Sequence, residues 1–511
     1  MKRSKFFNQS LILIISNLTT GVFAFIFSII LSKKLGAEGM GLYGIIMPIY
    51  DLFICLINGG MVAAISKSSA IYIGKNDYSN LHKTIESTIT FEIIWAIVIV
   101  CLVFINAPFI SSKIIKDGRS IQALRVMCPA MLFIALSAIL KGYFYGVSKA
   151  KTAAVIDILE KGFRIVIFMC IVNFLNISSV KNTVTAAYTT LTFGELISFI
   201  FLYLVYLKHK RHHLYTYNYN NRKSEDGLQL LFDVLVVSVP LCLNGFLTTA
   251  LSTVSTLITP RRLVDIGFTH KTALSMIGRF SSMAISIPLF PLVIVTSICT
   301  ILIPNLSENL SKKNYFLMEH RITKVIKISI LLGLSSLIIC NTIPSELGFM
   351  FFKRKDLGNY IRFLSFIVPF IYISVLSYCV LNGIGKQKIL LKNSIITAIE
   401  EVILLYVLTG IPFINIYGCG LTILITCLTS IILNFKEIKK ICFVKIIDYE
   451  NFIYLLCSVL GFFILNIVSK FINFKLAFIN NIIIILCGFL IMFSLAKILG
   501  KKEPTNIYYT K

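Results

Sequence analysis

Charged residues make up only 14% of the 511-residue sequence, where soluble domains carry about 25%. That shortage excludes a soluble enzyme, and a hydrophobic content of 57% excludes a disordered chain. Acids are scarcer still: 23 Asp and Glu face 49 Lys and Arg, a formal net charge of +26. In a soluble protein this balance would suggest nucleic acid. In so apolar a chain it points instead to basic cytoplasmic loops of a membrane protein, and no nucleic-acid partner is expected. The 13 cysteines include no Cys-x-x-Cys pair and lie mostly in apolar stretches. This excludes a secreted disulfide scaffold and a cysteine metal centre, and the cysteines read as small core residues. His209, His212 and His213 sit in the run KHKRHH without nearby Cys or acidic ligands, so no metal is expected there. The single tryptophan, Trp95, cannot form an interfacial belt. Phosphate-loop, zinc-protease and dinucleotide-loop motifs are all missing, and the connections are short. No catalytic residue, no cofactor and no enzyme activity are therefore expected.

Long apolar runs are abundant. Fourteen segments, the first at 10–32 and the last at 477–498, are long enough to cross a bilayer, which takes about 20 residues each. They must be helices, because an open strand or loop leaves its backbone groups unsatisfied in hydrocarbon. The N-terminal MKRSK followed by an apolar run imitates a signal peptide, but the run from Ser10 to Ser32 is too long for one and reads as the first retained span. Lys and Arg favour alternate loops by roughly two to one, which puts both termini and the long polar connection 208–227 in the cytoplasm.

A duplication is visible around that connection. Pro48 and Pro288, Pro129 and Pro369, and Glu160 and Glu400 are each 240 residues apart, in helices 2/8, 4/10 and 5/11. The segments GKNDYSNLHKTI and SKKNYFLMEHRI also correspond loosely. Six helices per copy is an even number, so the copies share one orientation. The expected architecture is all-α: an N-lobe at 1–207, a linker at 208–227, a C-lobe at 228–435, and helices 13 and 14 with a cytoplasmic tail at 436–511.

Ionisable side chains deep in spans are costly and usually face a cavity or a partner. Asp157, Glu160, Lys161 and Arg164 fall at i, i+3, i+4 and i+7 on helix 5, one face with acid-before-base pairs Asp157–Lys161 and Glu160–Arg164. The stripe reads as a charged cavity wall, or as a self-neutralised set near the cytoplasmic mouth. Asp51 follows Pro48 in helix 2 and suits a cation, a proton or a neighbouring helix. Arg279 in helix 8 has the fork that suits phosphate, with snorkelling as its alternative. Glu92, Glu195, Glu400 and Glu401 complete the acids within spans and, with Asp51, are candidates for ion coupling. Lys141 and Arg125 lie nearer span ends and are expected to snorkel.

The stretch LGAEGMGLYGIIMPIYDLFICLINGGMVAAISK, the segment GRFSSMAISIP in helix 8 and KGYFYGVSKAKTAAVIDILEKGFRIV across helices 4 and 5 carry a resemblance. Together they resemble the stage V sporulation protein B family of polysaccharide transport proteins, within the multidrug/oligosaccharidyl-lipid/polysaccharide exporter superfamily, which also holds lipid II flippases and drug exporters. The resemblance implies a fourteen-helix fold of two six-helix lobes plus two C-terminal helices. It also implies alternating access that moves an undecaprenyl-pyrophosphate-linked precursor, such as a lipid II-like molecule for spore cortex, across the cytoplasmic membrane. Arg279 occupies a position where related flippases carry a cavity arginine. The chain departs from many relatives in having no base in helix 1 around Gly21 and Ser28, leaving Arg279 and the helix 5 bases, Lys161 and Arg164, as the implied anion contacts. The expected partners are the polyprenyl-linked precursor and membrane lipid, and the chain is expected to act as a monomer. Two competing readings are a cation-coupled drug exporter on the same fold and a membrane scaffold that recruits cell-wall synthesis enzymes.

Overall fold

The computed structural model describes residues 2–174, 179–216, 225–442, 444, 449–471 and 477–499. Residues 217–224 of the expected linker and 500–511 of the tail lie outside them. Among the described residues every regular element is helical. They are α1 (Lys2–Asn58), α2 (Met61–Gly74), α3 (Tyr78–Phe109), α4 (Ser120–Gly146), α5 (Ala150–Phe174), α6 (Val180–Thr216), α7 (Gly227–Asp265), α8 (His270–Ile277), α9 (Ser286–Leu289), α10 (Leu292–Ser311), α11 (Tyr315–Thr342), α12 (Pro344–Phe352), α13 (Gly358–Gly383), α14 (Gln387–Leu408), α15 (Tyr417–Ile438), α16 (Tyr449–Phe471) and α17 (Ala477–Leu499). Eleven stretches of the described residues are long and apolar enough to cross a membrane by those criteria alone. α5 and α14, which carry the densest charges among the expected spans, are not among the eleven, and the first counts both arms of α1 together with α2.

α1 holds the first expected span and most of the second, and bends between them at Gly36, whose φ of 66° and ψ of −173° leave the helical region. A side chain is disfavoured at that φ, and glycine is not. The second span, expected unbroken over 41–65, stops at Asn58 and resumes at Met61. Gly60 takes φ 77°, and a Cβ there would press on Leu241 and the Ser238 carbonyl of α7. The eighth span, expected unbroken over 273–303, is also interrupted. α8 passes into a π-helical turn at Gly278–Ala284, and helix resumes in α9 and then α10. Pro288 lies in α9 and Pro291 precedes α10. Their missing N–H groups account for the second interruption.

The repeat appears in the backbone at a spacing other than 240. Non-helical positive-φ residues end corresponding helices at Asn76 and Lys313, Lys116 and Lys353, and Ser148 and Gly385, each pair 237 residues apart. Asp77 and Asn314, one residue after the first of these pairs, both cap the next helix with a side-chain oxygen, accepting from the Asn80 and Leu317 amides. The proline pairs therefore mark matching helices but sit three residues, almost one turn, out of register.

The chain forms two compact units, one of residues 1–278 with 398–416, the other of 279–397 with 417–511. Lipid is as apolar as leucine, so helices associate through close packing and polar contacts. In the first unit α4 presents Gly142 and Gly146 to α2, where an added Cβ would meet the Val62 and Ser66 carbonyls. Tyr143 and Phe144, between them, are fully buried with Ile65, Leu81 and Tyr206. α1 crosses α8 closely: a Cβ on Gly41 would collide with the Leu274 carbonyl, and one on Gly278 with that of Ala37. In the second unit Gly333 of α11 packs on Pro369 of α13, Gly488 of α17 packs on Ile339 of α11, and Lys327 pairs with Glu450 to tie α11 to α16.

Candidate functional site

Bending α1 at Gly36 brings residues from both its arms to one cavity, closed on another side by α5. Phe23, Phe27 and Ser28 come from the first arm, Met40, Tyr43 and Met47 from the second, and Lys161 and Arg164 from α5. The space is about 330 Å³. Its apolar wall is aromatic and its polar wall is cationic, a combination that receives sugar faces and phosphate oxygens.

The helix 5 stripe is present, with different pairings from those expected. Asp157 Oδ1 lies 2.7 Å from Lys141 Nζ on α4, so Asp157–Lys161 is replaced by a cross-helix pair and Lys141 does not snorkel. Lys161 Nζ contacts Glu160 Oε2 at 2.7 Å. Arg164 reaches Glu160 Oε1 only at 4.0 Å. Lys161 thus answers Oε2 of Glu160, while Oε1 has no hydrogen-bond partner among the described residues and faces Arg164. Gly194 on α6 makes room for the carboxylate, since a Cβ there would stand 2.9 Å from Oε1. Arg164 has its guanidinium over the Phe27 ring at 5.1 Å, interacts with the Tyr43 side chain, and is only 11% exposed. Its Nε has no hydrogen-bond acceptor among the described residues. A desolvated guanidinium with an uncommitted donor on a cavity wall is an anion site in waiting.

Further candidates from the sequence gather around it. Glu195, buried on α6, lies within electrostatic reach of Glu160, Lys141, Lys161 and Arg164. Asp51 and Arg164 both act on Tyr43, Tyr50 and Tyr188. Tyr188 donates its hydroxyl to the Tyr43 carbonyl at 2.9 Å, which holds α6 against α1. These tyrosines escaped the sequence reading because a tyrosine in an apolar run looks like any other large core residue. Their spacing of seven between Tyr43 and Tyr50, with Asp51 next, was the available signal.

The remaining candidates stand apart from this network or in the other unit. Glu92 on α3 is fully buried, and neither of its oxygens has a hydrogen-bond partner among the described residues. Glu400 and Glu401 lie on α14, with Glu401 in reach of Ser255 on α7. Arg125 stacks over Phe104 at 5.3 Å. Arg279 belongs to the second unit, in the π-helical turn, with NH1 3.3 Å from Asp356 Oδ2; Arg354 holds the same oxygen at 2.8 Å. No cluster of three or more His, Cys, Asp or Glu suited to a metal occurs among the described residues.

Comparison with known proteins agrees with this architecture. The chain is 23% identical to stage V sporulation protein B of Bacillus subtilis (strain 168), covering 93% of this chain and 91% of that one. It is 21% identical to the lipid II flippase MurJ of the same organism, over 98% of both chains. Among solved structures, lipid II flippase MurJ in an inward closed conformation matches with a TM-score of 0.70 at 14% identity, over 96% of this chain and 98% of that one. An inward-facing multidrug resistance MATE family transporter of the MOP superfamily matches with a TM-score of 0.64 at 15% identity, over 84% and 98%. These structural likenesses establish the fold as that of MOP-superfamily transporters. The sequence pattern of the polysaccharide biosynthesis protein family matches residues 7–310, and the chain belongs to that family.

Proposed function

We propose that this protein moves a polyprenyl-pyrophosphate-linked saccharide or peptidoglycan precursor across the cytoplasmic membrane by alternating access. The observation that carries the reading is Arg164: a nearly buried guanidinium on a cavity wall, sharing the Glu160 carboxylate with Lys161 at a longer distance and with its Nε uncommitted. Lys161 and Arg164 hold the pyrophosphate, the aromatic wall of Phe23, Phe27 and Tyr43 receives the sugar, and the polyprenyl tail stays in lipid. Asp157 and Glu160 keep the two bases positioned, and Glu195 limits the net positive charge. The names of the relatives, a lipid II flippase and a sporulation protein, support a lipid II-like cargo. The lobes are residues 1–207 and 228–435, both termini face the cytoplasm, and the monomer is the working unit.

The test is reconstitution in vesicles with lipid II and, separately, with an unrelated lipid-linked oligosaccharide, reading the appearance of each in the opposite leaflet. Arg164→Ala is expected to slow the cargo that moves by about 30-fold or more, the loss of roughly 2 kcal/mol from a charge-assisted contact. Arg164→Lys is expected to recover part of the rate. Wild-type rates in Arg164→Ala would remove the cavity from the transport path. A cation-coupled drug exporter on the same fold needs no base for pyrophosphate, and it predicts that cells lacking the protein become sensitive to cationic drugs.

A further inference from the structure

The unit-1 network contains four carboxylates, and three of them have basic neighbours. Asp157 pairs with Lys141 and Glu160 with Lys161, while Glu195 lies among Lys141, Lys161 and Arg164. Asp51 is the fourth. It is exposed, and no ion pair involves it among the described residues. Its position continues a lining stripe: Met40, Tyr43 and Met47 face the cavity, and Asp51 stands one turn beyond Met47 on the same helical face. The carboxylate also acts on the same three tyrosines as Arg164. One of them, Tyr50, has a buried hydroxyl with no hydrogen-bond partner among the described residues. The tyrosines thus lie between a guanidinium with an uncommitted Nε and a carboxylate without an ion pair among the described residues.

We propose that the transported headgroup carries a free ammonium group, received by Asp51 with the Tyr50 hydroxyl, while Lys161 and Arg164 hold its phosphates. This rests on the polyprenyl-pyrophosphate reading above and narrows it to a headgroup with charges of both signs. An unpaired carboxylate within a span is costly, and a ligand that brings the counter-ion offsets that cost only when it is the right ligand. An inorganic cation fits less well. Hard cations take six or more oxygens, and Asp51 offers one carboxylate and a phenol, whereas an ammonium is satisfied by two or three acceptors.

The experiment uses the full chain in vesicles and two probes: an undecaprenyl-pyrophosphate disaccharide-peptide with a free side-chain amine, and the same molecule with that amine acetylated. Wild type is expected to move the amine form roughly 10-fold faster, the value of one charge-assisted hydrogen bond. Asp51→Asn is expected to slow the amine form to the acetylated rate and to leave the acetylated form unchanged. Equal rates of both probes in wild type would overturn the proposal without any variant. So would an equal slowing of both by Asp51→Asn, which is what a structural role predicts. Repeating the assay with sodium replaced by choline separates the cation sources: a sodium dependence abolished by Asp51→Asn would also overturn it. Failure of wild type to move either probe would sink the pyrophosphate reading itself, and this proposal with it.

Discussion

Asp117 shows how a single side chain outside the spans is tuned by its neighbours. Burial pushes its carboxyl upward, but hydrogen bonds from the Arg119 side chain and backbone, with the charges of Arg119 and His270, more than reverse this and hold it below the usual carboxylate value. Arg119 in turn reaches Glu38 at 2.6 Å, so one guanidinium joins the loop before α4 to α1. A carboxylate with a lowered folded-state value stabilises the fold above its unfolded value of about 3.9 and loses that contribution as the pH falls through the folded value. Asp117→Asn is therefore expected to cost about 1–3 kcal/mol at neutral pH and to flatten the decline in stability below about pH 4. Thermal melting in detergent between pH 3 and 7 measures both. Parallel acid limbs for the two proteins would show that Asp117 contributes nothing there.

Among helices, glycine sets the distances. The crossing of α1 and α8 brings backbone to backbone at Gly41 and Gly278, where no flexible side chain is available to yield. Gly41→Ala is expected to lower stability by about 1–3 kcal/mol, the usual range for overpacking, read as a lower melting temperature and a poorer yield in detergent. A variant that melts with wild type would mean the crossing is looser than described. Elements of this kind were unevenly legible in the sequence. Every expected span received helix because an apolar run of bilayer length has no other way to satisfy its backbone. The interruptions at Gly59–Gly60 and Gly278–Ala284 were not seen, because hydropathy is blind to where a helix must break to let another pass. The helix 5 face was legible from spacing alone. Its partners were not, since Lys141 and Glu195 meet it only through packing, and a side chain chooses among neighbours that a linear sequence does not rank.

For the whole molecule, the basic excess makes a claim about sidedness. In the proposed orientation, argued from the positive-inside bias, the connection 208–227 faces the cytoplasm. Single cysteines introduced there, in a chain with its 13 natural cysteines replaced, are expected to react with a membrane-impermeant maleimide only after the cells are permeabilised, and cysteines near Lys116 or Lys353 before it. The reverse pattern would overturn the proposed topology.

Asp117 and Arg119 stand 237 residues before Arg354 and Asp356: the second copy contains the same ion pair written backwards. Both loops nonetheless turn on a left-handed lysine at the matching place, Lys116 and Lys353. Shape in these loops is thus fixed by one backbone angle, while polarity is free to reverse around it. After an ancestral doubling, such a molecule could repaint the electrostatic surface of either half without refolding it. Symmetric architecture and asymmetric chemistry are then compatible inheritances, and a chimera joining two copies of the same half would restore the symmetry of form while erasing the difference in charge.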